Sequence, residues 1–241
     1  MKREISTRET GILEFIKGLE NSLYLIPPFQ REFVWEPCDI IRLWESIYNF
    51  YPMGSILCWE TDIKLNIHRK PGGVILDDSR EKNKTEYIYI LDGQQRATSL
   101  LFSTGRGTAA KLKNRNDFDY SLVFDCKNTE FFFAEEYRRR QRDVDPQFLI
   151  PLNDLFYEGP ALIDTILKKP DFTKKIKDNL LQLQYVLNNY RLPLTFIRGF
   201  DIPAVSRIFE LINREGKDLK SIDIMIARTF RNYQYLVEED L

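Results

Sequence analysis

Histidine is nearly absent from this sequence, with His68 alone among 241 residues. A His/His metal site, an HNH nuclease site and a histidine-based catalytic triad therefore gain no support. The three cysteines, Cys38, Cys58 and Cys126, are odd in number, far apart and mostly in apolar surroundings. They read as reduced, buried thiols of a cytoplasmic protein. No apolar run approaches the roughly 18 to 20 residues that a membrane span needs. The first ten residues hold no apolar stretch, so a secretory signal is not expected there. Charge of one sign is also missing: 35 basic residues face 36 acidic ones, for a net charge of −1 and a pI near 6.0. Proteins that bind nucleic acid mainly by neutralising phosphates usually carry a basic excess, so any such contact must come from a local patch. Eleven Gly and eleven Pro are ordinary usage, which excludes low-complexity and collagen-like chains. What remains for chemistry is carboxylates, Arg, Gln and Asn.

What is present suffices for one sizeable core with a small helical annex, since 43% of residues are hydrophobic and 13% aromatic. Helical spacing runs from Thr10 to Gly18 and, after Pro37, from Asp39 to Phe50. Leu23–Ile26 is extended and meets Pro27-Pro28, which stops any helix. Gly54–Glu60 reads as a strand buried on both faces, and Tyr87–Leu91, β-branched and aromatic, as the clearest strand. It stops at Asp92-Gly93, after which Gln94–Phe102 is helical. Tyr120–Cys126 and Glu130–Phe133 look like antiparallel strands, Ala161–Tyr190 is helical with a break near Pro170, and Leu192–Arg198 is a strand. Pro203–Asn213 is a helix capped by Gly216, and Ser221 with Asp223 opens a last one. The order predicts an α+β fold: a mixed core over residues 1–135 and a mainly helical extension over 136–241 contributing to the same unit.

Three segments are candidates for chemistry. In Leu91-Asp92-Gly93-Gln94-Gln95-Arg96, glycine lets backbone N–H groups approach a ligand, and the helix start adds donors and partial positive charge. That makes an anion site, with Arg96 able to clamp phosphate oxygens and Asp92 able to hold a metal-bound water. The competing reading makes Asp92 an N-cap, Gly93 a turn and Arg96 a surface charge; spacing alone does not separate the two. In Ile26–Trp35, two prolines stiffen a segment that presents Gln30 and Arg31 beside three aromatic rings. It suits either a nucleotide's phosphate and base or simple packing of the rings on the core, which local evidence favours. Asn213 and Arg214 end a helix, either as a phosphate or metal contact or as a cap. Arg138–Arg142 is a basic run flanked by acids, and His68 receives no role.

Together, Ile-Pro-Pro-Phe-Gln-Arg-Glu-Phe-Val-Trp, Tyr-Pro-Met-Gly-Ser-Ile-Leu, Leu-Asp-Gly-Gln-Gln-Arg-Ala-Thr-Ser-Leu and Ile-Phe-Glu-Leu-Ile-Asn-Arg-Glu-Gly-Lys-Asp-Leu resemble the N-terminal domain of GmrSD-type restriction proteins. That family is similar to the ParB/sulfiredoxin superfamily, whose members bind a nucleoside triphosphate at a turn before a helix. The resemblance implies a phosphate-handling turn from Asp92, Gly93, Gln94, Gln95 and Arg96, with Gln30 and Arg31 beside it and Asn213 closing it. It implies an NTP-binding, NTP-hydrolysing domain of a restriction or antiphage system acting on foreign or modified DNA. Asp92, Arg96 and Gln95 are then the catalytic candidates, and Mg²⁺, touched by Asp92, accompanies the nucleotide. The alternative is a non-hydrolysing module, switched by nucleotide or binding DNA, that recruits a nuclease. Residues 1–241 contain no HNH segment, so the cut is expected from a separate or missing nuclease domain.

Overall fold

In the computed structural model the described residues are 2–27, 29–30, 33–65, 85–104, 118–136, 144–169 and 171–212. The fold is α+β. Its centre is a five-stranded sheet with strands β1 (Glu4–Gly11), β2 (Tyr24–Leu25), β3 (Ile56–Thr61), β4 (Tyr87–Asp92) and β8 (Arg191–Arg198), in the order β1-β8-β3-β4-β2. β1 runs antiparallel to β8 and β3 antiparallel to β4, whereas β3–β8 and β2–β4 are parallel. A second, antiparallel sheet has the order β6-β5-β7, from β5 (Leu122–Asp125), β6 (Glu130–Phe133) and β7 (Leu149–Pro151). The helices are α1 (Ile12–Glu20), α2 (Pro37–Tyr48), α3 (Gln94–Ser103), α4 (Leu152–Leu167), α5 (Lys174–Asn189) and α6 (Ile202–Ile212).

The inner strands β3, β4 and β8 alternate between two buried faces, as a near-continuous apolar run requires. Ile56, Cys58, Ile90, Leu194 and Phe196 enter the larger core with α1, α2, α3, α5 and the second sheet. Trp59, Tyr87, Tyr89, Leu91 and Ile197 enter the other, under Ile202, Val205 and Phe209 of α6. β8 comes from the C-terminal half yet lies inside the sheet between β1 and β3, so residues 136–241 supply a central strand as well as helices. α2 starts on a capping box, Glu36 with Asp39, and carries Pro37 in its first turn.

Several boundaries differ from the sequence reading. Thr10 and Gly11 pair with β8, so α1 begins at Ile12. α4 is two helical pieces joined at Gly159, whose φ of 48° and ψ of −125° are not helical; the second piece starts close to the expected Ala161, and the first, from Leu152, was not expected. Cys58 and Cys126 are buried free thiols as expected, but Cys38 is exposed: it sits in the first turn of α2, off the face of Ile40, Leu43, Trp44 and Ile47 that enters the core. His68, the Arg138–Arg142 run and the features at Asn213, Gly216, Ser221 and Asp223 lie outside the described residues. Among the described residues no helix is long and apolar enough to cross a membrane.

Candidate functional site: the turn between β4 and α3

β4 leaves its ladder irregularly. Cys58 pairs with Ile90 but Leu57 with Asp92, so the single step in β3 faces two in β4 and Leu91 forms a bulge. A bulge interrupts the ladder and leaves backbone groups that need other partners. Gln30 supplies them: its Nε2 donates to the carbonyl oxygens of Ile90 (3.2 Å) and Leu91 (2.6 Å). Only the amide nitrogen can face two carbonyl oxygens, so the orientation of this buried side chain follows from chemistry.

The chain then turns through Gly93, left-handed at φ 87°, straight into α3. A Cβ at Gly93 would stand 2.9 Å from Ile56 Cγ1 and 3.2 Å from Arg96 Nη2. Glycine is the helix's Ncap residue and offers no side-chain cap. Asp92 is therefore not the N-cap that one reading of the sequence made it; its carboxylate Oδ2 accepts instead from Arg96 Nη2 at 3.2 Å. Arg96 is not a surface charge either. Its side chain is 17% exposed against 45% for Asp92, and Nη1 donates to the Met53 carbonyl at 2.6 Å. Gly54, also left-handed (φ 82°), has no Cβ because one would lie 2.6 Å from that same Nη1. Two glycines thus make room for one guanidinium fork, whose two arms hold two different turns.

Gln95 ties the site to the proline arm: its Oε1 accepts from the backbone N–H groups of Val34 (2.8 Å) and Trp35 (3.3 Å). Gln94 and Gln95 are both buried. The arm's rings pack on the core, which was the favoured alternative. Phe29 meets Phe209 edge-on at 5.2 Å, and Phe33 meets Phe102 at 5.3 Å and Tyr120 at 6.2 Å. Neither Phe29 nor Phe33 has a face available to stack on a base.

The structure therefore brings Gln30, Asp92, Gly93, Gln94, Gln95 and Arg96 together at the carboxyl end of β4, beside the amino end of β3. Arg31 and Asn213 lie outside the described residues. Sequence reasoning missed Met53 and Gly54, which complete the arginine's surroundings; the Gly before a buried strand was the available signal. Among the described residues no three His, Cys, Asp or Glu side chains gather as a metal cluster.

The family description "GmrSD restriction endonuclease, N-terminal domain" matches residues 12–230, which spans the proline arm, the β4–α3 turn and every element from α1 to α6. The chain belongs to this family. It is also similar to an uncharacterised protein of Methanocaldococcus jannaschii, 26% identical over 256 residues and covering 95% of this chain. The match covers 43% of that relative, so the chain spans less than half of its length.

Proposed function

We propose that this GmrSD-family chain binds and hydrolyses a nucleoside triphosphate at the β4–Gly93–α3 turn, within a restriction system whose DNA cut is made by a nuclease domain. The observation that carries the reading is the helix start at Gly93, without a side-chain cap, with a partly exposed Asp92–Arg96 pair beside it. Helix N-termini at the carboxyl ends of parallel strands favour anions, and β2 and β4 run parallel here. The same junction supports reading the core as ParB/sulfiredoxin-like.

Asp92 suits Mg²⁺ in ligand type: a hard carboxylate, 45% exposed. Asp92 would hold the ion as the chain's one contact, with phosphate and water oxygens supplying the other ligands, as is usual for Mg²⁺. The ion supplies charge neutralisation on the phosphates when bound. The chain's own part follows from charge. Asp92 and Arg96 hold each other across the first turn of the helix. Phosphate then takes the guanidinium's Nη2 arm, and the Nη1 arm stays on Met53 and keeps the fork aimed. Preorganised positive charge of this kind stabilises charge developing on a transferred phosphoryl group. Gln30 and Gln95 act as positioning residues that fix the bulge and the arm.

A second reading is favoured by one specific observation: both arms of Arg96 already have protein acceptors. On that reading nucleotide binds and switches partner or DNA affinity, and hydrolysis is slow or absent. Calorimetric titration with each NTP plus Mg²⁺, paired with a phosphate-release assay, separates the two. The hydrolytic reading expects binding and turnover, with turnover lost in folded Arg96→Lys and Asp92→Asn proteins. Binding without release supports the switch. No binding of any NTP overturns both.

A further inference from the structure

We infer that the outer edge of β1 is a self-association site, joining two copies of this chain through antiparallel β1–β1 pairing about a two-fold axis at Ser6. Among the described residues β1 is the last strand of its sheet, bonded only to β8. Lys2 to Glu9 are exposed apart from half-buried Ser6, and Ile5 is 68% exposed. Natural edges of this length are normally blunted by charge, bulges or cover. β1 keeps regular register with β8 over all eight residues, and its charges alternate in sign rather than repel a mate.

The register follows from two constraints. In an antiparallel pair, backbone groups of alternate residues point outward, and directly opposite residues must both point outward or both inward. For two identical strands, the numbers of opposed residues must therefore sum to an even value. Among those registers, an axis at Ser6 sets Arg3 of one copy opposite Glu9 of the other, and Glu4 opposite Arg8. Symmetry doubles each, giving four oppositely charged cross-strand pairs. An axis at Glu4 or Arg8 faces like charge on like. An axis at Ile5 faces Lys2 on Arg8, and one at Thr7 pairs no charges. Opposite charges directly across a ladder stabilise it and like charges destabilise it. A two-fold contact is self-complementary by construction, and β1 satisfies this with one register alone.

The groups needed are accessible. Arg8 is 58% exposed, 3.6 Å from Glu60 with its guanidinium 4.5 Å above the Phe196 ring. Ile5, opposite Thr7 in the proposed register, leaves water on pairing. Joining the edges makes a continuous sheet of two five-strand halves and removes both unpaired β1 edges. A strand-to-strand seam is small against the roughly 1,600 Å² of a standard interface, so the dimer is weak, reversible and salt-sensitive.

Sedimentation of the full chain over a range of concentrations tests this. Wild type self-associates at low salt and dissociates in about 1 M salt, where the Debye length is about 3 Å. Glu4→Arg and Arg8→Glu each face like charges across the seam, so each weakens self-association by about tenfold or more. Mixing the two single variants restores a heterodimer, because every charged pair is then opposite in sign. Circular dichroism confirms that both variants fold, and Arg3→Glu mixed with Glu9→Arg repeats the test without touching Arg8. At high concentration, wild-type amide exchange slows at alternate residues from 3 to 9. A monomer at every concentration overturns the inference, as does a dimer that ignores the single variants or is not rescued on mixing.

Discussion

Gln30 offers a direct test of how the site is built. Gln30→Leu keeps most of the side chain's volume and removes both N–H donors. The carbonyls of Ile90 and Leu91, at 3.2 and 2.6 Å from Nε2, then face an apolar group in a buried place. Each lost bond costs about 1 kcal/mol net, and a buried carbonyl left without a partner costs about 1–3 kcal/mol. Partial relaxation of the bulge keeps the sum to about 2–4 kcal/mol, which lowers Tm by about 5–15 °C in a chain of this size. Gln182→Leu, on the exposed side of α5, is the control and shifts stability by no more than about 0.5 kcal/mol. Gln30→Glu is worse than Leu at neutral pH, because a carboxylate then faces two carbonyl oxygens. Its folded pKa is raised, so stability is recovered on acidification and lost again as pH rises through that pKa. Urea melts of the three variants supply the measurement. Equal stabilities for Gln30→Leu and Gln182→Leu would refute the view that Gln30 holds the bulge.

Three further outcomes follow from other parts of the molecule. Gly54→Ala is expected to cost about 1–2 kcal/mol for its left-handed φ plus the displacement of Arg96 Nη1 from the Met53 carbonyl. In an Arg96→Ala background only the conformational part remains, and a double-mutant cycle reads the difference. Among the described residues, Thr98 Oγ1 and Ser99 Oγ are buried without a hydrogen-bond partner, so Thr98→Val and Ser99→Ala should be neutral or stabilising in thermal melts; a loss of more than about 1 kcal/mol counts against it. Native protein should show one fast thiol with Ellman's reagent, exposed Cys38, and three after denaturation. Burial pushes the Cys126 thiol up to about 12 and Tyr24 up to about 12, and raises Cys58 as well. These groups ionise first in the unfolded chain, so their contribution is complete below about pH 9 and is lost as pH rises toward 12. An alkaline melt with a flat stability profile over that window contradicts the assignment.

Much of the fold was legible because each buried strand carries its signal locally. Tyr87–Leu91 and, within Gly54–Glu60, Ile56–Trp59 are apolar throughout, as strands covered on both faces must be, and the Asp92-Gly93 step marks the turn. β1 gave no such signal. Its residues are mostly charged or hydroxylic, and it is a strand because β8 presents a ladder, a fact that lies about 190 residues away in sequence. The same non-locality hid β8's place inside the sheet. At the site, the residue types were readable and their partners were not. Sequence put Gln30 and Gln95 near a ligand; what it did not carry is that each also fastens one backbone segment to another. Side-chain hydrogen bonds across about 60 residues leave no periodicity to read.

The decisive question at the turn is what Arg96 does, and stability and rate answer it differently. An arginine whose sole work is to bridge Met53 and Asp92 loses stability on substitution, and activity falls only in proportion to the unfolded fraction. An arginine that meets phosphate loses turnover in protein that is still fully folded. Arg96→Lys discriminates well, since an ammonium is a point charge and does not reproduce a fork that reaches two separate acceptors. If the residue is positional, adding nucleotide and Mg²⁺ leaves the difference in Tm between wild type and Arg96→Lys unchanged. If it binds phosphate, the nucleotide raises Tm in wild type more than in the variant, because ligand that binds only the native state stabilises it according to its affinity. The two left-handed glycines sharpen the argument. They make room for the guanidinium in either case, so the stability loss is common to both readings and only the ligand-dependent part separates them.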